Sequence, residues 1–295
     1  MSSIIYKKNK KFYILLCLPA IVFYTLSVLY PLIGVTLPAS FFNWNILEGT
    51  KQFNGIENYI RLFKEEAFRD AMFFTLKLAV VTVLGSNILA FMVAYFLQGK
   101  IFAKGLSRAG FFIPNIINGI MVSFVWSFIF IQGIPILAKK IGFEKLASLS
   151  WFGTPSMAAV SVFIVTIWQG MGFIMIIYVA GMQSVSQELI EAAELEGCNR
   201  LQKVLYVVIP MMMPTITVCL FVSIAGAFKA FDIPFALTSG GPSRSTATVA
   251  LNIYDTAFTS FRTGYASAKS IVLFILVMIV ALIQLRCTRK KEVQL

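Results

Sequence analysis

The sequence predicts an all-α membrane protein with six transmembrane helices. Apolar residues make up 58% of its 295 positions and charged residues only 13%, whereas soluble domains carry about a quarter charged residues. The apolar residues are gathered into six long runs, and a helix needs roughly 20 such residues to cross the hydrocarbon core of a bilayer. We therefore expect the lipid bilayer to be the main solvent of this chain.

Six segments are long and apolar enough to be the predicted helices. In chain order they run about Phe12–Ile33, Phe73–Leu97, Ala109–Ile131, Ser156–Met182, Val207–Phe231 and Ser267–Leu285.

The first segment also has features of a signal peptide, because lysines precede its apolar run. The run is long, however, and no convincing small-residue cleavage site follows it promptly. We expect Phe12–Ile33 to remain in the protein as a membrane-embedded helix.

Basic residues indicate the orientation of the six helices. The N-terminal tail, the connections near 98–108 and 183–206, and the C-terminal tail together hold 13 of the 25 lysines and arginines, although they are the shorter connections. Cytoplasmic connections carry such an excess. Both termini are therefore predicted to be cytoplasmic, as an even number of spans requires.

Several classes of site are excluded by the composition. The chain has no histidine, its four cysteines are scattered, and it lacks the G-x-x-x-x-G-K-[ST] loop that binds ATP phosphates. Its net charge of +12 is distributed between apolar runs and does not form one basic patch. We expect no catalytic residue, no metal site, no cofactor bound by this chain and no nucleic-acid partner.

The predicted cytoplasmic loop 183–206 contains the most informative motif. Glu188–Glu196 consists of good helix formers, and Gly197 permits a C-terminal cap or a sharp reversal. Ala192 and Ala193 keep one face narrow, so that the helix could enter a groove on a partner. Taken alone, these features fit an acidic, solvated loop helix equally well.

The spacing of this loop resembles the EAA loop of permease subunits of binding-protein-dependent ABC importers. That motif has Glu-Ala-Ala, two residues, an acid, Gly, a small residue and a Pro thirteen positions after the Gly. This sequence supplies Glu191-Ala192-Ala193, Glu196-Gly197-Cys198 and Pro210. It departs from the family in having Glu196 instead of Asp and Cys198 instead of Ala, and Ser186 stands where Pro is common.

A second segment narrows the resemblance to sugar-type permeases. Phe231–Pro242 is similar to their F-D-x-x-x-x-L-T-x-G-G-P pattern, and Phe53–Tyr59 and Gly264–Ala268 continue the likeness. The likeness extends over nearly the whole chain. It points to the maltose and glycerol-3-phosphate permease group, and the G-G-P segment suggests the first of two sister permeases.

The resemblance implies a fold, a function and a set of partners. Residues 1–295 would form a single transmembrane permease domain with the type I ABC importer fold, in a bacterial or archaeal cytoplasmic membrane. The chain would pair with a sister permease and move a sugar, oligosaccharide, polyol or glycerol phosphate by alternating access. Two ATPase subunits would bind ATP and Mg, and a solute-binding protein would deliver the solute from outside. ATPase coupling would rest on Glu191, Ala192, Ala193, Glu196 and Gly197.

The same resemblance marks a candidate substrate path. Matching the chain to the maltose permease points to Asn115, Gly119, Thr166, Gln169, Gly170, Phe173, Ser223, Ala227 and Ala230. Several polar positions of that permease are Ala or Gly here, and each of these residues could instead serve helix packing.

Two other functions remain open from the residues alone. A stand-alone secondary transporter or channel would need acids inside the membrane or an inverted repeat, and neither is clear in the sequence. A membrane enzyme would need a catalytic constellation, and the composition offers none.

Overall fold

The computed structural model describes residues 10–99 and 103–290. These residues fall into two compact units. Four lysines used in the orientation argument, Lys7, Lys8, Lys100 and Lys291, lie outside the described residues. The assignment of residues 1–295 to a single domain stays a prediction.

The first unit comprises residues 10–64 together with Ile253–Val272. It begins with helix α1, Lys10–Tyr24, which continues in π-helical geometry through Thr25–Thr36 and ends in the turn Leu37–Ala39. Within this unit the apolar surface of the helix is uncovered, as expected of a helix whose solvent is lipid or another subunit.

A small hairpin follows α1 in the first unit. Strands β1, Phe42–Asn45, and β2, Thr50–Phe53, pair antiparallel, and helix α2, Glu57–Lys64, follows them. The buried Asn58 side chain donates to the Ser40 carbonyl at 2.8 Å and fastens α2 to the end of α1. The sequence analysis did not predict this hairpin, because its strands are only four residues long.

The second unit comprises Glu65–Asn252 and residues 273–290. Its first part contains α3, Glu66–Phe96; α4, Lys104–Ile116; α5, Gly119–Phe128, extended by Ile129–Gly133 and Ile134–Lys140; α6, Glu144–Ala147; and α7, Pro155–Gln183.

The remaining helices follow α7 in the chain. They are α8, Gln187–Leu195; α9, Arg200–Lys203, extended by Val204–Val208 and Ile209–Met211; α10, Met213–Phe228; the π-helical turn Pro234–Thr238; α11, Val249–Tyr254, extended by Asp255–Thr259; and α12, Thr263–Arg289.

Among the residues that the structure describes, five helices are long and apolar enough to cross a membrane, and a bent pair makes a sixth if it is counted as one span. The first, second, fourth and sixth predicted spans correspond to Leu16–Ala39, Glu66–Phe96, Pro155–Gln183 and Thr263–Arg289.

The third and fifth predicted spans are not continuous helices. Ala109–Ile131 is broken because Ile117 is extended, and the Asn118 side chain caps a new helix by accepting from Ile120 N at 2.8 Å. Val207–Phe231 is bent by 76° at Met212, between Pro210 and Pro214. Proline cannot donate to the preceding turn, and this accounts for the bend.

Helix α7 lies at the centre of the second unit and packs against α3, α4 and α10. Glycines allow two of these approaches: a Cβ at Gly172 would lie 2.0 Å from the Phe111 carbonyl oxygen of α4, and one at Gly181 would lie 2.4 Å from Thr215 Oγ1 of α10. Small residues let membrane helices approach closely and gain dispersion contacts.

Candidate functional site

The predicted coupling residues lie on a corner of two short helices, residues 187–203, which we call the loop corner. It consists of α8, the turn at Glu196–Asn199 and α9. The backbone N–H of Cys198 donates to the Ala193 carbonyl and that of Gly197 to the Glu194 carbonyl, both at 3.0 Å. This pair of bonds is a Schellman motif, which ends a helix at a left-handed residue.

Gly197 is the left-handed residue of that motif, with φ at +82°. No atom lies within 4 Å of the position that a Cβ would take. The glycine is therefore required by backbone conformation and not by lack of space.

The second helix of the loop corner is capped by its own residues. The Asn199 side chain accepts from Gln202 N at 2.9 Å, and the Gln202 side chain accepts from Asn199 N at 2.8 Å. Lys203 of α9 forms an ion pair with Glu194 of α8. These contacts fix the angle between the two helices without any buried residue in either of them.

The loop corner exposes apolar side chains to its surroundings. Leu195 is 90% exposed and Leu189 is 42% exposed, although both lie on a helix that is otherwise acidic. The sequence motif identified the coupling residues but not these two leucines. They stand out only because the structure shows that they are exposed. An exposed leucine beside Glu191 and Ala192, both also exposed, gives the corner a face that a partner could cover.

Most of the predicted substrate-path residues line one cavity in the second unit, which we call the central cavity. Its volume is about 340 Å³. Its walls come from α3, α4, α7 and α10 and from the segment that follows α10. The predicted residues on these walls are Asn115, Thr166, Gln169, Gly170, Phe173, Ser223, Ala227 and Ala230.

Gly119 is the predicted residue that does not line the central cavity. A Cβ at this position would lie 2.8 Å from the Cβ of Asp232. Gly119 therefore allows the start of α5 to approach the segment after α10, which is a packing role.

The polar side chains of the central cavity are largely engaged with the protein. Thr166 Oγ1 donates to the Val162 carbonyl at 2.7 Å, and Gln169 Nε2 donates to the Ile117 carbonyl at 2.9 Å. Ser223 Oγ donates to the Cys219 carbonyl at 2.5 Å. These bonds engage three of the polar side chains that the resemblance marked.

Ser223 also belongs to a hydrogen-bonded network that joins three helices. Asn87 Nδ2 of α3 donates to Ser223 Oγ of α10 at 2.9 Å, and Tyr178 Oη of α7 donates to Asn87 Oδ1 at 2.8 Å. Asn87 Nδ2 also donates to the Val83 carbonyl at 2.8 Å. The network therefore links three of the helices that form the cavity walls.

Lys229 and Asp232 follow α10 in the chain. Helical geometry ends at Phe228, and in the described part of the chain no hydrogen bond or ion pair joins the two side chains. Both are exposed and both line the central cavity. They give the cavity one positive and one negative group.

Comparison with a known family agrees with this geometry. The family described as "Binding-protein-dependent transport system inner membrane component" matches residues 86–292. The chain is 33% identical over 290 residues, 98% of its own length and 97% of the relative's, to the probable starch degradation products transport system permease protein AmyD of Thermoanaerobacterium thermosulfurigenes. It is 35% identical over 254 residues, 86% of its length and 87% of the relative's, to the multiple sugar-binding transport system permease protein MsmF of Streptococcus mutans.

A solved structure has the same fold. One chain of a bacterial ABC transporter involved in the import of the acidic polysaccharide alginate matches with a TM-score of 0.80 at 20% identity, covering 97% of each chain.

Proposed function

We propose, from the premise that this chain belongs to the binding-protein-dependent transport system inner membrane component family, that it is a permease subunit of an ATP-driven sugar importer. Its fold is that of type I ABC importer permeases, as the sequence analysis predicted. The family match gives no support to a stand-alone transporter or channel. The permease would transmit a conformational change, while the chemistry of ATP hydrolysis would take place on other chains.

The observation that supports this proposal is that the loop corner is both rigid and exposed. It is stiffened by a Schellman motif, a capping box and the Lys203–Glu194 ion pair, yet neither of its helices has a buried residue. A rigid, exposed helix is suited to transmit motion from a partner, because it can move as a unit without unfolding. We infer that α8 seats in a groove of an ATPase subunit.

The chemistry of α8 describes that groove. Leu195 and Leu189 would need an apolar floor, and Glu191 and Glu196 would need donors or basic groups at its rim. Ala192 and Ala193 would allow the backbone of α8 to come close to the partner. ATP and Mg would be held by that partner, since this sequence has no P-loop.

The remaining partners and the orientation complete the proposal. The chain would form a heterodimer with a sister permease, and the complex would contain two ATPase subunits and an external solute-binding protein. Both termini and the loop corner would face the cytoplasm, as the distribution of basic residues indicates. The assembly would reside in a bacterial or archaeal cytoplasmic membrane.

A sugar or oligosaccharide is the proposed solute because of what the relatives transport. Their names refer to starch degradation products, multiple sugars, and trehalose and maltose. A cavity of about 340 Å³ falls within the range of roughly 300–1,000 Å³ for small-molecule sites. Because Thr166 and Ser223 are engaged with backbone carbonyls, we infer that the cavity conducts its solute and that the binding protein selects it.

The coupling proposal is tested by a pair of matched leucine substitutions. Leu195→Asp places a charge on the face that would enter the ATPase, and Leu47→Asp places one on the β1–β2 turn, where the leucine is 71% exposed. Residues at the centre of an interface typically contribute about 2 kcal/mol or more, which is roughly thirtyfold in affinity. Co-purification of the ATPase with the membrane-inserted permease measures the effect.

We expect Leu195→Asp to lose the ATPase and sugar uptake, and Leu47→Asp to retain the ATPase. Gly197→Trp tests the same surface at the motif itself and should also uncouple transport without preventing membrane insertion. ATPase assembly and transport that survive both Leu195→Asp and Gly197→Trp contradict the docking of α8.

A further inference from the structure

We propose that a second cavity of the second unit binds the phosphate of an anionic lipid headgroup. This site is separate from the central cavity and goes beyond the proposed transport function. Its volume is about 440 Å³. Its walls are one face of α3, the first turns of α7 and the loop after the G-G-P segment, with the lining residues Asp70, Phe73, Phe74, Lys77, Pro155, Ser156, Ala159, Ser243, Arg244 and Ser245.

The positive groups of this cavity outnumber its negative group. Lys77 and Arg244 line it together with a single acid, Asp70. The N-terminal residues of α7, Pro155 and Ser156, also lie on its wall, and the N-terminus of a 29-residue helix carries a partial positive charge. An anion would be attracted by all three sources, and arginine and lysine are suited to phosphate oxygens.

The loop that carries Arg244 is held by hydrogen bonds of the residues that follow it. Thr246 is fully buried, and its hydroxyl donates to the Gly241 carbonyl at 2.9 Å. The backbone N–H of Val249 donates to Thr75 Oγ1 of α3 at 2.9 Å. These contacts position the residues before them, so the loop needs little ordering when a ligand binds.

The loop that carries Arg244 makes a tight turn at Ser243 and Arg244. Both residues have left-handed φ angles, +50° and +63°, and the bond from Ser245 N to the Pro242 carbonyl, at 3.0 Å, closes the turn. The buried Ser245 Oγ has no hydrogen-bond partner among the residues that the structure describes. Because this oxygen is covered by protein atoms, the contacts to a phosphate would come from Lys77 and Arg244, which line the cavity.

The depth of the site favours a lipid over a soluble anion. Along α3 the last acidic residue is Asp70, and the apolar part of the helix begins beyond it. Lys77 lies within that apolar part, about 10 Å further along the helix axis. Lys77 Nζ is 5.8 Å from the centroid of the Phe163 ring, and Phe73 beside it is 72% exposed. Charged groups beside apolar side chains suit an amphiphile, which has a charged headgroup and apolar chains.

The test titrates phosphatidylglycerol into the full transporter in neutral detergent and counts bound lipids by native mass spectrometry. Phosphatidylcholine is the neutral lipid control, and inorganic phosphate is the soluble anion control. A basic residue near an anionic lipid contributes about fivefold in affinity. Lys77→Gln combined with Arg244→Gln should therefore weaken phosphatidylglycerol binding about thirtyfold.

Two further variants keep the result interpretable. Arg69→Gln removes an exposed arginine of α3 that pairs with Glu66 outside the cavity, and it should leave binding unchanged. Lys77→Arg combined with Arg244→Lys keeps both charges and should preserve most of the binding. Equal binding of phosphatidylglycerol and phosphatidylcholine by the wild type, or no loss in the double Gln variant, overturns the proposal. Inorganic phosphate that competes as well as the lipid assigns the site to a soluble anion and overturns it as well.

Discussion

The loop corner and the central cavity are held together in opposite ways. The hydrogen bonds and the ion pair that shape the loop corner join residues within ten positions of each other, and neither of its helices has a buried residue. The cavity is shaped by contacts between distant segments, such as the Asn87–Ser223 bond, which joins residues 136 positions apart. The loop corner is therefore formed by local contacts and leaves its surface uncovered, whereas the cavity is formed by the packing of distant helices.

Because of this difference, we expect substitutions in the two regions to affect different properties, namely coupling to the ATPase and stability of the permease. Changes in the loop corner should alter coupling to the ATPase while the permease stays folded, because they remove nothing from its core. Changes behind the cavity should alter the stability of the permease itself, because buried contacts between helices are lost.

Gly172→Val is expected to have the largest effect, and it acts behind the cavity. The added Cβ would lie 2.0 Å from the Phe111 carbonyl oxygen and 2.9 Å from its carbonyl carbon. Both atoms belong to the backbone of α4, so no side-chain rotation relieves the clash, and we expect a loss of about 3 kcal/mol or more. Heating followed by size-exclusion chromatography measures the loss of folded permease.

The matched control for this prediction is Gly110→Val on α4. No atom lies within 4 Å of the Cβ position at Gly110, so only helix propensity changes, by a few tenths of a kcal/mol. Equal thermal stability of the Gly172→Val and Gly110→Val variants contradicts the close approach of α7 and α4.

The contrast also explains which parts of the molecule could be predicted from the sequence. The Glu191–Gly197 motif predicted the loop corner almost completely, because capping and left-handed glycine are local properties. Four of the six spans were predicted from apolar length alone. The break before Asn118 and the 76° bend at Met212 do not follow from apolar length. For the bend the sequence does carry a signal, because Pro210 and Pro214 flank it and proline bends a helix.

The candidate cavity was only partly predictable. Eight of the nine residues that the resemblance marked line the cavity, whereas Gly119 lies where the start of α5 approaches Asp232. Lys229 and Asp232 line the cavity as well, and the resemblance did not mark them. Which polar groups remain free depends on contacts with distant carbonyls, and a sequence does not show those.

Asn87→Leu is expected to have an intermediate effect. It removes the bonds from Tyr178 and to Ser223 that link three helices. Bonds between membrane helices contribute about 0.6 kcal/mol on average and up to about 1.7 kcal/mol, so we expect a loss of roughly 1–3 kcal/mol in thermal unfolding. Thr166→Val is the control, because its hydroxyl bonds only within its own helix.

Sugar uptake by these two variants tests whether the Thr166 hydroxyl contacts the solute. Thr166→Val should retain uptake, since its hydroxyl is already engaged and is not available to the solute. A Thr166→Val variant that folds normally but loses uptake would show that this hydroxyl turns to grip the solute, contrary to the conducting cavity proposed here.

The smallest effect is expected at Gly197, where only the backbone is constrained. Alanine at a left-handed position costs about 1 kcal/mol, and asparagine tolerates this conformation better. Because no atom lies near the Cβ position, Gly197→Asn should keep most ATPase coupling, and Gly197→Ala should lower it about fivefold. Thermal unfolding of the permease should be nearly unchanged in both variants, since the corner adds nothing to the core. If Gly197→Asn uncouples transport as strongly as Gly197→Ala, the glycine is required by contact with the partner and the purely conformational explanation is wrong.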